Sequence, residues 1–159
     1  MSEIVRPVAT ERRTTADWSH DPKPFHLAIP VEHLEPARAF YRDVLGLAEG
    51  RSDTHWVDFD LFDHQLVIHE VARTGDAVAG ANPVDGDQVP VPHFGVLLSP
   101  NDFHAFAARL REHDVAFVIE PLVRFAGEVG EQHTMFFLDP SGNALEFKAF
   151  ADDGQVFAT

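Results

Sequence analysis

The order of the predicted secondary structure elements occurs twice along this chain. Each half contains an apolar strand, then an amphipathic helix, then three further strands. We place these elements at 25–31, 35–46, 47–51, 55–62 and 65–71 in the first half, and at 93–98, 99–114, 115–121, 133–139 and 143–150 in the second. A repeated order of this kind indicates an internal duplication, in which two βαβββ modules share one core. The expected fold class is therefore α+β.

The segments outside the two modules lack apolar periodicity. Residues 72–92 are rich in Gly, Ala, Asp, Asn and Pro and predict a connecting loop. The inserted segment 122–132 of the second half predicts another loop, placed to fold over a cleft as a gate. The expected organisation is an extended arm at 1–22, one domain at 23–151 with modules at 24–71 and 93–151, and a tail at 152–159.

Composition narrows the classes of partner and of chemistry. The 159 residues are 45% apolar, which suffices to bury a core, and their formal net charge is −14. This acidic balance argues against nucleic acid and anionic membranes, which both reward clusters of Lys and Arg. Because the chain contains no Cys, disulfides, thiolate catalysis and Cys-bound zinc are excluded. Since no apolar run is long enough to span a membrane or to form a signal peptide core, we expect a soluble, cytoplasmic protein.

Four side chains that can bind metal fall on equivalent strands of the two halves. Side chains alternate across a strand, so the bulky apolar residues of each strand take one face and need a helix to cover it. His26, His69, His93 and Glu146 take the other face. Superposing the halves pairs His26 with His93 and His69 with Glu146. If the two sheets curl together, these side chains line a cleft whose imidazoles and carboxylate suit a divalent cation.

This pattern resembles the vicinal oxygen chelate superfamily, which includes glyoxalase I, extradiol dioxygenases, bleomycin-resistance proteins and fosfomycin-modifying thiol transferases. The resemblance covers about residues 24–151 and rests on the segments FHLAIPV, ARAFYRDVLGL, PHFGVLL and MFFLDPSGNALEFKAF. The motif FLDPSGNALEF before a terminal strand is specific for the fold, whereas the superfamily carries out several reactions on it. Among these proteins, the chain is most similar to small extradiol-type dioxygenases.

The resemblance bears on the roles of four residues, and the position of Arg124 suggests a fifth. His26, His93 and Glu146 match the positions that bind the metal in extradiol dioxygenases and fosfomycin enzymes of this fold. Two His and one carboxylate leave open positions on the metal and favour Fe(II), with Mn(II), Ni(II) or Zn(II) as alternatives. His69 stands where glyoxalase I has an acid, so it is either a fourth metal ligand or, as we assign it, a catalytic residue for proton transfer and substrate binding. Arg124, beside the inserted loop, is assigned to binding an anionic or enolate-like substrate.

Three functions stay open at this point. The favoured one is a mononuclear metal-dependent dioxygenase of the extradiol type, acting on a small diol or enediol, aromatic or otherwise. The first alternative is a glyoxalase-like lyase or isomerase, whose metal acts as a Lewis acid. The second alternative is a metal-free protein that binds and sequesters a small molecule. Family likeness further implies a homodimer, and we expect a small-molecule substrate with neither nucleic acid nor membrane as a partner.

Overall fold

Two four-stranded sheets form the framework of the chain. The computed structural model describes residues 23–72 and 75–157, so the expected arm at 1–22 lies outside the described residues. The first sheet has the order β1-β4-β3-β2, with β1 parallel to β4, and comprises β1 (His26–Val31), β2 (Glu49–Asp53), β3 (Trp56–Leu61) and β4 (His64–Glu70). The second sheet has the order β7-β10-β9-β8, with β7 parallel to β10, and comprises β7 (His93–Phe94), β8 (Phe117–Arg124), β9 (Gln132–Leu138) and β10 (Ala144–Phe150). The predicted α+β fold with two βαβββ modules is confirmed.

Each module contributes one helical segment. In the first module, α1 (Leu34–Ala39) continues into a π-helical turn at Phe40–Val44, where the sequence predicts a single helix over 35–46. In the second module, α2 (Pro100–Glu112) begins as predicted, because the backbone N–H of Asp102 donates to Ser99 Oγ at 3.1 Å. Within residues 23–72 and 75–157, no helix is long and apolar enough to cross a membrane.

The two modules share one hydrophobic core. The helix-covered face of the first sheet and that of the second sheet belong to the same buried cluster. Aromatic rings connect the modules across it: Phe40 contacts Phe137 at 6.4 Å between ring centroids, and Phe62 contacts Phe106 at 5.6 Å. Because each sheet turns its helix-covered face to this core, its opposite face, which we call the open face, is turned away from the core. The open faces are where the sequence places the candidate ligands.

The segment 72–92 is not the plain loop that the sequence predicts. It contains an antiparallel hairpin of β5 (Gly80–Val84) and β6 (Asp87–Val91). The turn consists of Asp85 and Gly86, both with positive φ, which is the Asp-Gly turn favoured in two-residue hairpins. Val89 of the hairpin packs on Ile119 and Phe136, which lie on the open face of the second sheet. The hairpin therefore covers part of that open face.

Strand pairing also corrects the superposition of the two halves. His26 lies opposite Gln65 in the first sheet, and His93 lies opposite Ala144 in the second. With His26 matched to His93, Glu146 corresponds to Val67, two residues beyond the matched pair. His69 corresponds to Lys148 instead of Glu146, so the predicted pairing of His69 with Glu146 is wrong by two residues.

Candidate functional site

His93 and Glu146 form the centre of the candidate site. They lie on adjacent strands of the second sheet, β7 and β10, and both side chains point to the open face. His93 Nε2 lies 3.1 Å from Glu146 Oε2. The imidazole keeps about a third of its surface exposed, with 30% accessible, whereas the carboxylate is buried with 9% accessible. The pair is therefore reached from solvent through His93.

In each of these two side chains, the atom that does not face the other side chain is hydrogen-bonded to a neighbouring group. The Pro90 carbonyl lies 2.6 Å from His93 Nδ1, so Nδ1 carries a proton and donates it to that oxygen. Thr134 Oγ1 donates to Glu146 Oε1 at 2.7 Å. Metal ligands in proteins are oriented by second hydrogen bonds of this kind. The arrangement leaves His93 Nε2 and Glu146 Oε2 directed at each other and at the open face.

The electrostatics of the pair follow from these contacts. The hydrogen bond with Glu146 raises the pKa of His93 above its ordinary value of 6.5, against the opposing effect of burial. Burial alone would raise the pKa of Glu146, but hydrogen bonds from His93 and Thr134 and the charge of Lys148 outweigh it and lower that pKa below 4.5. Both shifts favour the charged forms of the two side chains, and a metal ion would compete with the proton for His93 Nε2.

His26 is held in the same way on the open face of the first sheet. Its Nδ1 lies 2.9 Å from Gln65 Oε1. Gln65 Nε2 donates to Asp58 Oδ2 at 3.3 Å, and because a carboxylate only accepts, this contact fixes which end of the amide faces His26. Arg51 donates to the same Asp58 oxygen. With Nδ1 engaged by Gln65, Nε2 is the His26 ring atom that remains to bind a ligand.

One chain does not bring His26 to the other two predicted ligands. Among the described residues, no group of three or more His, Asp or Glu side chains is placed to hold a metal ion. His93 and Glu146 lie on the open face of the second sheet and His26 on that of the first, with the shared core between the two sheets. The prediction that one folded chain gathers His26, His93 and Glu146 around a single ion is therefore wrong, and their role as ligands stays a prediction.

His69 lies on the open face of the first sheet. It occupies β4, level with Pro30 on β1 and Trp56 on β3, and its side chain is exposed. Its assignment to proton transfer and substrate binding stays a prediction. The residue at the corresponding position of the second sheet is Lys148, whose Nζ lies 3.5 Å from Glu146 Oε2.

Arg124 does not lie in a loop. It belongs to β8, is 2% exposed, and lies on the part of the open face that the hairpin covers. Its guanidinium donates to the Val84 carbonyl at 2.6 Å and to Asp87 Oδ2 at 3.1 Å. In the described structure Arg124 holds the hairpin on the second sheet. These bonds do not support the predicted contact of Arg124 with substrate, which stays a prediction.

The donor set of the two open faces fits a divalent metal. Both imidazoles have Nδ1 engaged by an oxygen acceptor, which leaves Nε2 as the ligand atom. Thr134 holds one oxygen of Glu146, and among residues 23–72 and 75–157 only the His93 imidazole and the Lys148 ammonium approach the other. Two imidazole nitrogens and one carboxylate oxygen suit Fe(II), Mn(II), Ni(II) or Zn(II).

Sequence reasoning missed the residues that orient the ligands. These are Asp58, Gln65, Pro90 and Thr134, together with Lys148 beside the carboxylate. Four of the five lie on the open faces at the same strand parity as the ligands, so parity would have found them. The Pro90 carbonyl could not be found in this way, because it belongs to the hairpin.

Comparison with known proteins defines the family. Residues 23–147 match the family described as the Glyoxalase/Bleomycin resistance protein/Dioxygenase superfamily. A solved structure described as a glyoxalase/bleomycin resistance protein/dioxygenase from Alicyclobacillus acidocaldarius is 31% identical, with a TM-score of 0.70, and the match covers 85% of this chain and 96% of that one. No curated protein matches the chain.

More distant structures share the fold alone. A fosfomycin resistance protein from Listeria monocytogenes is 15% identical with a TM-score of 0.59, over 82% of this chain and 95% of that one. A lactoylglutathione lyase from Agrobacterium tumefaciens is 18% identical with a TM-score of 0.57, over 79% of this chain and 91% of that one. On the match over 23–147 and the 31% identity, the chain belongs to the glyoxalase/bleomycin resistance protein/dioxygenase superfamily.

Proposed function

We propose that this protein is a mononuclear, divalent-metal-dependent dioxygenase of the extradiol type, acting on a small diol or enediol. Its ligands are His93 and Glu146 of one copy and His26 of a second copy of the chain. Iron(II) bound by these three side chains would supply Lewis acidity and redox chemistry toward O₂. The chain's own residues bind that ion, orient its ligands and leave one side of it accessible to substrate.

The observation that supports this proposal most is that both histidines have Nδ1 hydrogen-bonded to an oxygen acceptor. Each has its Nδ1 proton bonded to an oxygen that cannot itself donate, the Pro90 carbonyl for His93 and Gln65 Oε1 for His26. A metal-binding histidine almost always donates its other ring N–H to such an acceptor, which fixes the tautomer and the ring orientation. The bond from Thr134 serves Glu146 in the same way.

A second copy is needed because the open faces lie outside the shared core. The two sheets end in the unpaired edge strands β1 and β7, which carry His26 and His93. Next to these strands, Phe25 and Leu97 are 64% and 51% exposed. In a twofold dimer, the first sheet of one copy can face the second sheet of the other, and the symmetry then forms two identical sites.

The choice of a dioxygenase over a glyoxalase-like lyase rests on the number of ligands. A fourth protein ligand would come from the position in the first module that corresponds to Glu146. That position is Val67, which is 5% exposed and carries no ligand atom. Three protein ligands leave more of the metal accessible to substrate and O₂, as in the two-His, one-carboxylate arrangement of Fe(II) oxygenases.

Oxygen uptake tests the reaction. Protein reconstituted with Fe(II) without air is mixed with aerated catechol, 2,3-dihydroxybenzoate or other diols, and O₂ consumption is followed together with ring opening. We expect one O₂ consumed per diol cleaved, and loss of this activity in Glu146→Ala but not in His113→Ala, which changes an exposed His at the end of α2. Full iron loading with no uptake for any diol would contradict the dioxygenase proposal.

Complementation between variants tests the shared site. When His26→Ala and Glu146→Ala chains are co-expressed, about one quarter of the wild-type iron per chain should return, since half of the dimers are mixed and each mixed dimer has one complete site. The matched control is His93→Ala with Glu146→Ala. Both changes affect the same half-site, so this mixture should bind no iron. Equal iron in the two mixtures would contradict a site shared between copies.

A further inference from the structure

Lys148 is a cation beside the proposed metal ligands. It lies on β10 two residues after Glu146 and points to the same open face, with its side chain 31% exposed. Its Nζ lies 3.5 Å from Glu146 Oε2, the same oxygen that His93 Nε2 approaches at 3.1 Å. The His93 imidazole and the Lys148 ammonium thus share one carboxylate oxygen that a bound metal would also use.

The contacts of Lys148 differ from those of the arginines. Each arginine of residues 23–72 and 75–157 donates a hydrogen bond to a carboxylate or a backbone carbonyl, and these are Arg38, Arg42, Arg51, Arg109, Arg111 and Arg124. The Lys148 ammonium has the 3.5 Å contact with Glu146 as its one polar side-chain contact within the described part of the chain. It is therefore available to a further anionic group.

Metal binding would leave the positive charge of the Lys148 ammonium only partly compensated by Glu146. With a divalent ion on Glu146 Oε2, one carboxylate faces the metal and Lys148 together, so the site carries a net charge of about +2. The rest of the chain gives no long-range attraction for anions, because its formal net charge is −14. A ligand that brings negative charge directly to Lys148 would restore the local balance.

We infer that Lys148 binds a carboxylate, or another anionic substituent, placed beside the two oxygens through which the substrate chelates the metal. This inference rests on the proposed function and specifies its substrate class as an anionic diol or enediol. Leu97, which is 51% exposed, pairs with Lys148 through an isolated parallel backbone bridge, so its apolar side chain is next to the position of Lys148. The subsite therefore combines one cation with an apolar surface, as suits a ring that carries an acidic group.

Paired probes test the inference by binding, without turnover. Catechol and 2,3-dihydroxybenzoate are both vicinal diols, and the second adds a carboxylate next to the diol. Each is titrated calorimetrically into Fe(II)-loaded protein without air. We expect wild-type protein to bind 2,3-dihydroxybenzoate about tenfold more tightly than catechol, since a bond to a charged group contributes about that factor.

The variants separate charge from structure. Lys148→Met should bind 2,3-dihydroxybenzoate and catechol with about equal affinity. Lys148→Arg should keep most of the preference for 2,3-dihydroxybenzoate. Arg111→Met removes a charge from the exposed surface of α2 and should leave the preference unchanged. Because Lys148→Met also removes a cation near the metal, its affinity for Fe(II) should increase about tenfold.

The outcomes distinguish the inference from the proposed function. If wild-type protein binds no metal, the proposed function fails and the inference fails with it. If wild-type protein binds Fe(II) but shows no preference for the carboxylate, or if Lys148→Met keeps the wild-type preference, the inference alone is overturned. A lost preference in Lys148→Met, with iron retained, supports it.

Discussion

Gly95 is the position at which the fold of the site is most sensitive to one added carbon atom. It follows β7, where the backbone passes so close to β10 that a Cβ built on Gly95 would lie 1.7 Å from the Glu146 carbonyl oxygen and 2.7 Å from its carbonyl carbon. The obstacle is backbone, so no side chain can rotate away. Gly95→Ala must therefore move β7 away from β10.

The magnitude follows from what that movement breaks. The clash itself resembles overpacking of a core, which costs about 1–3 kcal/mol. Two backbone hydrogen bonds next to Gly95 are strained with it, from Leu98 N–H to the Lys148 carbonyl at 2.8 Å and from Lys148 N–H to the Val96 carbonyl at 3.4 Å. At about 1 kcal/mol for each bond, the expected loss of unfolding free energy is about 3–5 kcal/mol.

Urea denaturation followed by circular dichroism measures this loss. The matched control is Gly80→Ala, because a Cβ on Gly80 meets nothing within 4 Å. That control should change the unfolding free energy by less than about 0.5 kcal/mol. Equal stability of the two variants would refute the close approach of β7 and β10. A folded Gly95→Ala variant should also separate His93 from Glu146, so that the pKa of His93 returns toward 6.5.

Three further predictions concern contacts outside the proposed ligands. Tyr41→Phe removes the buried hydrogen bond of 2.9 Å from the Tyr41 hydroxyl to Asp139, which connects the modules, and should lower the unfolding free energy in urea by about 1.5–3 kcal/mol. The Leu34 backbone N–H holds the pKa of Glu70 below 4.5. The Glu70 carboxylate therefore stabilises the fold at neutral pH, and this contribution disappears as the pH falls through the lowered pKa. In urea titrations between pH 7 and pH 3, Glu70→Gln should show a smaller acid-induced loss than wild type, and an identical pH profile would contradict the assignment. Arg124→Met should release the hairpin, so that amide hydrogen exchange accelerates over 80–91 and not in β9, whereas unchanged exchange would show that the guanidinium does not hold it.

Strand parity carried most of the information about the candidate site. Alternation along each strand predicts that His93 and Glu146 point away from the helices, and in the structure they lie on the open face in contact with each other. The same alternation predicts the open-face position of His26. Parity works because one face of each sheet must be apolar to contact the core.

Register is what parity cannot supply. A shift of two residues leaves every side chain on the same face. Alternation therefore fits the predicted correspondence of His69 to Glu146 as well as it fits the observed correspondence of His69 to Lys148. Hydrogen bonding between β1 and β4 and between β7 and β10 decides the register. The consequence is chemical, because the position that corresponds to Glu146 is held by Val67.

The hairpin and the packing of the modules were missed for different reasons. Asp85 and Gly86 are a hairpin turn signal, but the prolines and glycines around them obscure the alternation of β5 and β6. The packing of the modules depends on contacts between distant rings, such as Phe62 with Phe106. A sequence pattern shows which faces are apolar, and it does not show which apolar faces meet.

Anomalous diffraction at the iron absorption edge, from crystals grown with Fe(II) and without air, tests the central claim most directly. The account predicts one iron peak per chain, within about 2.0–2.3 Å of His93 Nε2, a Glu146 oxygen and His26 Nε2 of a second copy. A peak bound by none of these atoms, or an intact His93–Glu146 pair with no iron beside it, would contradict the account.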